Sequence, residues 1–172
     1  DRYASRGLGD VYKRQPGLPY TYIMRPRLLD QMNDGTRGKL TLIHAPAGYG
    51  KTTLAGAWVA AQQEGLSGTK IGTAIAWLTV ESFDDDPIRF LNYFISAWQQ
   101  IDPKLGAGLL PILQSSQVNP KRIESYGLLN QLINELAEYP TQRALILDDW
   151  HTINNETVQK MVQYWIEHVP PH

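Results

Sequence analysis

Apolar positions follow two rhythms along this chain. The runs 40–45 (LTLIHA), 73–80 (TAIAWLTV) and 144–149 (ALILDD) are short, continuous and aliphatic, the pattern of strands buried on both faces. Elsewhere the apolar residues recur every three or four positions, the spacing of one helix face. That spacing predicts helices over 51–64 (Leu54, Ala57, Trp58, Ala61), 87–100 (Ile88, Leu91, Phe94, Ile95, Trp98), 122–138 (Leu129, Leu132, Ile133, Leu136) and about 155–168 (Val158, Met161, Val162, Trp165). Asp86 reads as the cap of the second of these, with Pro87 in its first turn. Shorter helices are expected over 25–33, with Leu28, Leu29 and Met32 on one side, and over 106–115.

Turn residues punctuate the remainder, at 16–20 (PGLPY) and 34–39 (DGTRGK). Residues 1–15 lack both rhythms and read as a tail foreign to the pattern, which leaves 16–172 as the folded unit. Strands that alternate with helices require crossover connections, so the expected fold is α/β, a parallel sheet with helices on both faces. No internal repeat or low-complexity segment interrupts it.

Composition narrows the partners. At 172 residues the chain is the size of one domain, and 16 basic against 17 acidic residues leave no overall charge to draw it to nucleic acid or an anionic membrane. Without cysteine there is neither a disulfide framework nor a thiolate metal site, and no apolar run reaches the roughly 18 residues that cross a bilayer. A cytoplasmic location and no membrane partner are the expectation.

The chemistry lies where the first strand meets the first long helix. Ala45-Pro46-Ala47-Gly48-Tyr49-Gly50-Lys51-Thr52 meets the P-loop (Walker A) spacing with Ala in the first glycine position. Consecutive backbone N–H groups can curl around a phosphate only where side chains are small and dihedrals unusual, and the helix N-terminus adds its positive dipole end. The cradle is assigned to Ala47, Gly48, Tyr49, Gly50, Lys51, Thr52 and Thr53, with Lys51 on the β- and γ-phosphates and the Thr52 hydroxyl on Mg²⁺. A glycine turn that merely caps a helix is the bland alternative.

A strand-end carboxylate should complete such a site (Walker B). Asp148 supplies the expected metal partner together with Thr52, and Asp149 beside it is a candidate base or water-positioning group. Glu81, just beyond the second strand, would face the same crevice as a second catalytic candidate, or else be a solvated loop acid. Asp84 to Asp86 could hold a metal, though helix capping explains them better. His44 and His151 flank the motifs and read as structural first, and the five tryptophans read as core.

Four segments, RPRLLDQM, APAGYGKTTLAGAW, IAWLTVESFDDDPIRFLNYFISAWQ and ALILDDWHTI, together resemble the N-terminal ATP-binding domain of the large LuxR-type, maltose-regulator-like transcription regulators, members of the STAND class of signal-transducing ATPases. The resemblance covers about 16–172. It implies a P-loop NTPase-type three-layer sheet and an ATP and Mg²⁺ switch with slow hydrolysis. It further implies self-association in the active state, and a small-molecule inducer and DNA bound through domains beyond this chain. Trp150 stands where that family more often has Tyr, and the chain stops at HVPPH, before the strand that in this branch lies between the Asp148 strand and the P-loop strand. The 172 residues by themselves are therefore expected to bind nucleotide weakly and to turn it over negligibly.

Two other readings stay open at this point. A metabolic phosphotransferase would need an arginine-rich lid, and 101–122 offers only Lys104, Lys121 and Arg122; a guanine-specific site would need Asn-Lys-x-Asp, which NPKR at 119–122 is not. A non-hydrolysing interaction module of nucleotide-binding fold would be free to lose Lys51, Thr52 and Asp148, all of which are present.

Overall fold

A computed structural model of the chain describes residues 16–17, 22–64, 73–114 and 126–170. The expected tail, most of the 16–20 turn and the outer residues of the helices expected over 106–115 and 122–138 lie outside these. The fold is mixed α/β around a two-stranded parallel sheet, with β1 (Ala74–Thr79) paired to β2 (Arg143–Asp148) so that Thr79 stands opposite Asp148.

Alternation along the strands explains the layering. Ala76, Leu78 and Val80, with Leu145 and Leu147 across the ladder, pack on one side among the buried side chains of α3 (Pro87–Trp98), α4 (Leu110–Gln114), α5 (Gly127–Ala137) and α6 (Glu156–His168). Ile75, Trp77, Ala144 and Ile146 pack on the other, against Ala55, Trp58 and Val59 of α2 (Lys51–Glu64) and Leu29 and Met32 of α1 (Pro26–Gly35). The result is three layers with helices on both faces. Four of the five tryptophans, Trp58, Trp77, Trp98 and Trp165, are buried.

Two of the helices begin at a side chain that caps their free N–H groups. The Asp86 carboxylate accepts from Arg89 N at 2.8 Å with Pro87 in the first turn of α3, and the Asn155 side chain accepts from Thr157 N at 2.9 Å at the head of α6. Two aromatic contacts then lock α3 to α6: Phe94 meets the Trp165 ring edge-on at 4.9 Å, and Trp98 lies 5.6 Å from the same ring.

Beside the packing of Leu29 and Met32, one amide bonds α1 to α2. Asn33 Oδ1 accepts from Trp58 Nε1 at 2.8 Å and from Gln62 Nε2 at 2.6 Å. Asn33→Ala strips the indole of its acceptor in a half-buried setting and is expected to cost about 1–3 kcal/mol in urea unfolding, whereas Asn33→Asp keeps an oxygen there and should cost clearly less. Equal losses for the two would remove the hydrogen bonds as the cause.

The two edges of the sheet differ. On the β1 side the Gln100 amide imitates a neighbouring strand at one position, donating from Nε2 to Trp77 O at 2.8 Å and accepting from Trp77 N at 3.2 Å. On the β2 side no backbone ladder forms among the described residues, and Ala144 to Asp148 stay half-buried. At the start of β2 Arg143 is buried, its Nη1 donating to Tyr139 O at 3.3 Å and Thr141 O at 3.2 Å, and burial pushes its guanidinium below the usual arginine value.

The strand expected over 40–45 is not one. The segment makes no ladder, and Leu40 and Leu42 are 60% and 79% exposed. Ile43 packs beside α2, and Lys39 Nζ donates to Glu167 O at 2.8 Å, which fixes the start of the run against the end of α6. A strand exists only beside a partner about 4.8 Å away. Among the described residues 40–45 makes no ladder bond to either strand, so an aliphatic run that reads as strand stays unpaired although the β2 edge could take one.

Candidate functional site

The loop 46–50 sits at the head of α2, and its two glycines carry left-handed φ values, 79° at Gly48 and 75° at Gly50. A Cβ on Gly48 would meet nothing within 4 Å, and one on Gly50 would meet only Thr53 Cβ at 3.9 Å. Backbone conformation alone therefore calls for glycine, and the space beside the loop is open, as a cradle for an anion at a helix N-terminus must be. Gly48→Ala is expected to lower stability by about 1–2 kcal/mol through the left-handed penalty alone. An unfolding midpoint unchanged from wild type would show that the loop relaxes to another conformation.

Lys51 turns back on its own loop, donating from Nζ to Ala45 O at 2.9 Å and to Pro46 O at 3.1 Å. These two carbonyls hold the ammonium beside the loop it closes. One residue on, Thr52 Oγ1 donates to Asp148 Oδ1 at 3.1 Å across 96 positions of sequence. Asp148 Oδ1 also accepts from Asp149 N at 3.1 Å. The fold thus joins the head of α2 to the end of β2, bringing together a hydroxyl and a carboxylate oxygen. Hard oxygen donors of this kind, one carboxylate and one hydroxyl with room for water and phosphate oxygens, suit Mg²⁺.

Asp149 leaves the sheet with φ at 56°, a left-handed turn uncommon outside glycine, asparagine and aspartate, and its carboxylate is exposed. Trp150 anchors that turn below, its ring edge-on to Phe90 at 6.0 Å. His151 Nδ1 stands 3.8 Å from Asp149 Oδ1, both largely exposed, and His44 is exposed as well. Glu81 follows β1 two residues beyond Thr79, the register partner of Asp148, which puts it at the same carboxyl edge with its side chain exposed.

The three aspartates that follow serve as hydrogen-bond acceptors. Asp84, 1% exposed, accepts from Glu81 N at 2.9 Å and from Arg89 Nε at 3.3 Å; Asp86 caps α3; Asp85 reaches the loop before α6, accepting from Asn154 N at 2.8 Å and Asn155 N at 2.7 Å. Among the described residues no three histidine, cysteine, aspartate or glutamate side chains converge as a metal cluster. The cross-loop role of Asp85 has no signal in local sequence, since a run of Asp before Pro reads equally well as capping alone. Among the described residues, no helix is long and apolar enough to cross a membrane.

No family model matches the chain. Curated relatives do match it over most of its length. The HTH-type transcriptional regulator MalT of Vibrio cholerae is 30% identical over 156 residues, 91% of this chain and 16% of that protein. MalT of Cronobacter sakazakii is 32% identical over 150 residues, 87% of this chain and 15% of its own. The serine/threonine-protein kinase PknK of Mycobacterium tuberculosis is 32% identical over 156 residues, 90% of this chain and 13% of its own. The chain therefore spans about one sixth or less of the length of these relatives, and it is similar to one segment shared by regulators of transcription and a protein kinase.

Proposed function

We propose that the chain is the ATP-binding signal-transduction module, of STAND type, of a bacterial transcription regulator, binding MgATP as an activation switch with slow hydrolysis. The observation that carries this reading is the meeting of Thr52 and Asp148 at 3.1 Å, beside an open glycine loop at the head of a 14-residue helix. The likeness to both MalT and PknK supports it in a particular way. A segment present in a transcription regulator and in a kinase is better suited to a shared switch than to the DNA binding of one or the phosphotransfer of the other.

Each residue has a role in that reading. The amides of 47–53 would hold the phosphates at the positive end of the α2 dipole, and Lys51, which donates to two loop carbonyls, would reach them as a cation. Thr52 and Asp148 would hold Mg²⁺, whose chemistry there would be to offset the negative charge of the phosphates. Asp149 orients or deprotonates the attacking water, with Glu81 as the second acid at the edge. Inducer and DNA belong to other parts of the whole protein, and self-association accompanies the active state.

Calorimetric titration of the chain with ATP, with and without Mg²⁺, tests the reading. Magnesium should strengthen ATP binding in the wild type, and Asp148→Asn should abolish that gain while leaving metal-free binding within about twofold, because the phosphate amides do not involve Asp148. A metal gain that survives Asp148→Asn counts against the site. Because β2 has no outer neighbour among the described residues and Asp148 is only half-buried, affinity of the 172-residue chain is expected to be weaker than micromolar, with negligible turnover.

A further inference from the structure

We infer that Asp85 is a positioning residue for the acids at the sheet edge, a role that rests on the nucleotide reading above. Glu81 and Asp149 sit on two different loops, one leaving β1 and one leaving β2, and nothing in the β-ladder extends far enough to fix them relative to each other. The last ladder bond is Val80 N to Asp148 O at 2.9 Å. Beyond it the half-buried Asp85 carboxylate spans the gap, with Oδ1 accepting from Asn154 N at 2.8 Å and from Asn155 N at 2.7 Å, 69 and 70 positions away. Thr152 adds a weaker tie, its Oγ1 standing 3.0 Å from Asp149 O and 3.4 Å from Val80 O.

The two ends of this link are themselves rigid. On one side the turn Ser82–Asp85 is closed by Asp84, through Glu81 N and Arg89 Nε, so moving Asp85 moves Glu81. On the other side Ile153 is buried and Trp150 is packed on Phe90, so the segment between Asp149 and Asn155 has little freedom once its last two amides are held. A carboxylate that accepts two backbone N–H bonds makes charge-assisted contacts, about twice the strength of neutral ones. Asp85 thereby fixes the separation of the two acids. It touches neither nucleotide nor metal in this scheme.

The competing account is that Asp85 only steadies the N-terminus of α6, where a negative charge is favourable. Hydrogen exchange read by mass spectrometry, on wild type, Asp85→Ala and Asp85→Asn with and without millimolar MgATP, separates the two. Without nucleotide, Asp85→Ala should speed exchange of 149–155 by about ten- to a hundredfold and of 81–86 to a lesser degree, with α3 and the body of α6 unchanged; Asp85→Asn, which keeps a neutral acceptor, should fall between. With MgATP, the amides of 47–53 should be protected at the same half-saturation in all three proteins, while protection of 149–152 is lost in Asp85→Ala and partly recovered in Asp85→Asn. Exchange accelerated along α6 in place of the two loops, or protection of 149–152 identical in Asp85→Ala, overturns the positioning role while the nucleotide reading stands. No protection of 47–53 in the wild type overturns both. Should Asp85→Ala lose its far-ultraviolet helical signal, the Asp85→Asn protein decides by the same criteria.

Discussion

Lys51→Ala is expected to weaken MgATP binding by at least about ten- to a hundredfold, since it removes charge-assisted contacts worth roughly 1.5–3 kcal/mol to the phosphates. The same substitution should barely change stability. Among the described residues Nζ binds Ala45 O and Pro46 O, in a setting open enough for water to replace it, so the unfolding free energy from urea titration should change by less than about 1.5 kcal/mol. This split between binding and folding separates a phosphate-binding lysine from one that serves to close its own loop. If calorimetry finds ATP binding unchanged while stability drops by several kcal/mol, the lysine is structural and the assigned cradle is wrong.

The largest effect on folding is expected at Phe94, far from that loop. Its ring is 1% exposed, meets Trp165 at 4.9 Å and Phe90 at 5.6 Å, and so joins α3 to α6 over the sheet. Phe94→Ala should cost about 3–5 kcal/mol, a large part of the 5–15 kcal/mol that typically holds a domain together. At roughly 2–4 °C per kcal/mol for a chain of this size, the melting temperature should fall by about 6–20 °C. Phe83 provides the contrast: it is 73% exposed, and Phe83→Ala should stay within about 0.5 kcal/mol of wild type. Similar losses for the two would mean that α3 does not pack on α6 as described.

What the sequence reveals and what it hides divide along a physical line. α3 is fully legible, because Asp86, Pro87 and the stripe Ile88, Leu91, Phe94, Ile95, Trp98 are local signals that the helix needs wherever it lies. The approach of Thr52 and Asp148 is legible too, since a glycine-rich helix head and a carboxylate at the end of an aliphatic run are local signals that together mark one site. The run 40–45 reads as a strand and is not one, because being a strand is a relation to a neighbour and aliphatic character cannot say whether that neighbour is there. The same reason hides the partner of Gln100 and the cross-loop partners of Asp85, which local sequence reads as a capping residue along with Asp84 and Asp86. Asp85 and Gln100 each satisfy backbone groups distant in sequence, Asn154 and Asn155 in one case and Trp77 in the other, and side-chain type alone points to no such partner.

The unequal edges of the sheet give the molecule a direction of growth. Gln100 occupies the N–H and C=O of Trp77, so a strand approaching β1 must first displace an amide already bonded in both senses. At β2, whose outer backbone is unpaired among the described residues, an arriving strand runs alongside the residues that end at Asp148. Extending the sheet and enclosing its acidic edge are thus one event: whatever chain segment adds there also desolvates Asp148 and narrows the opening beside Thr52.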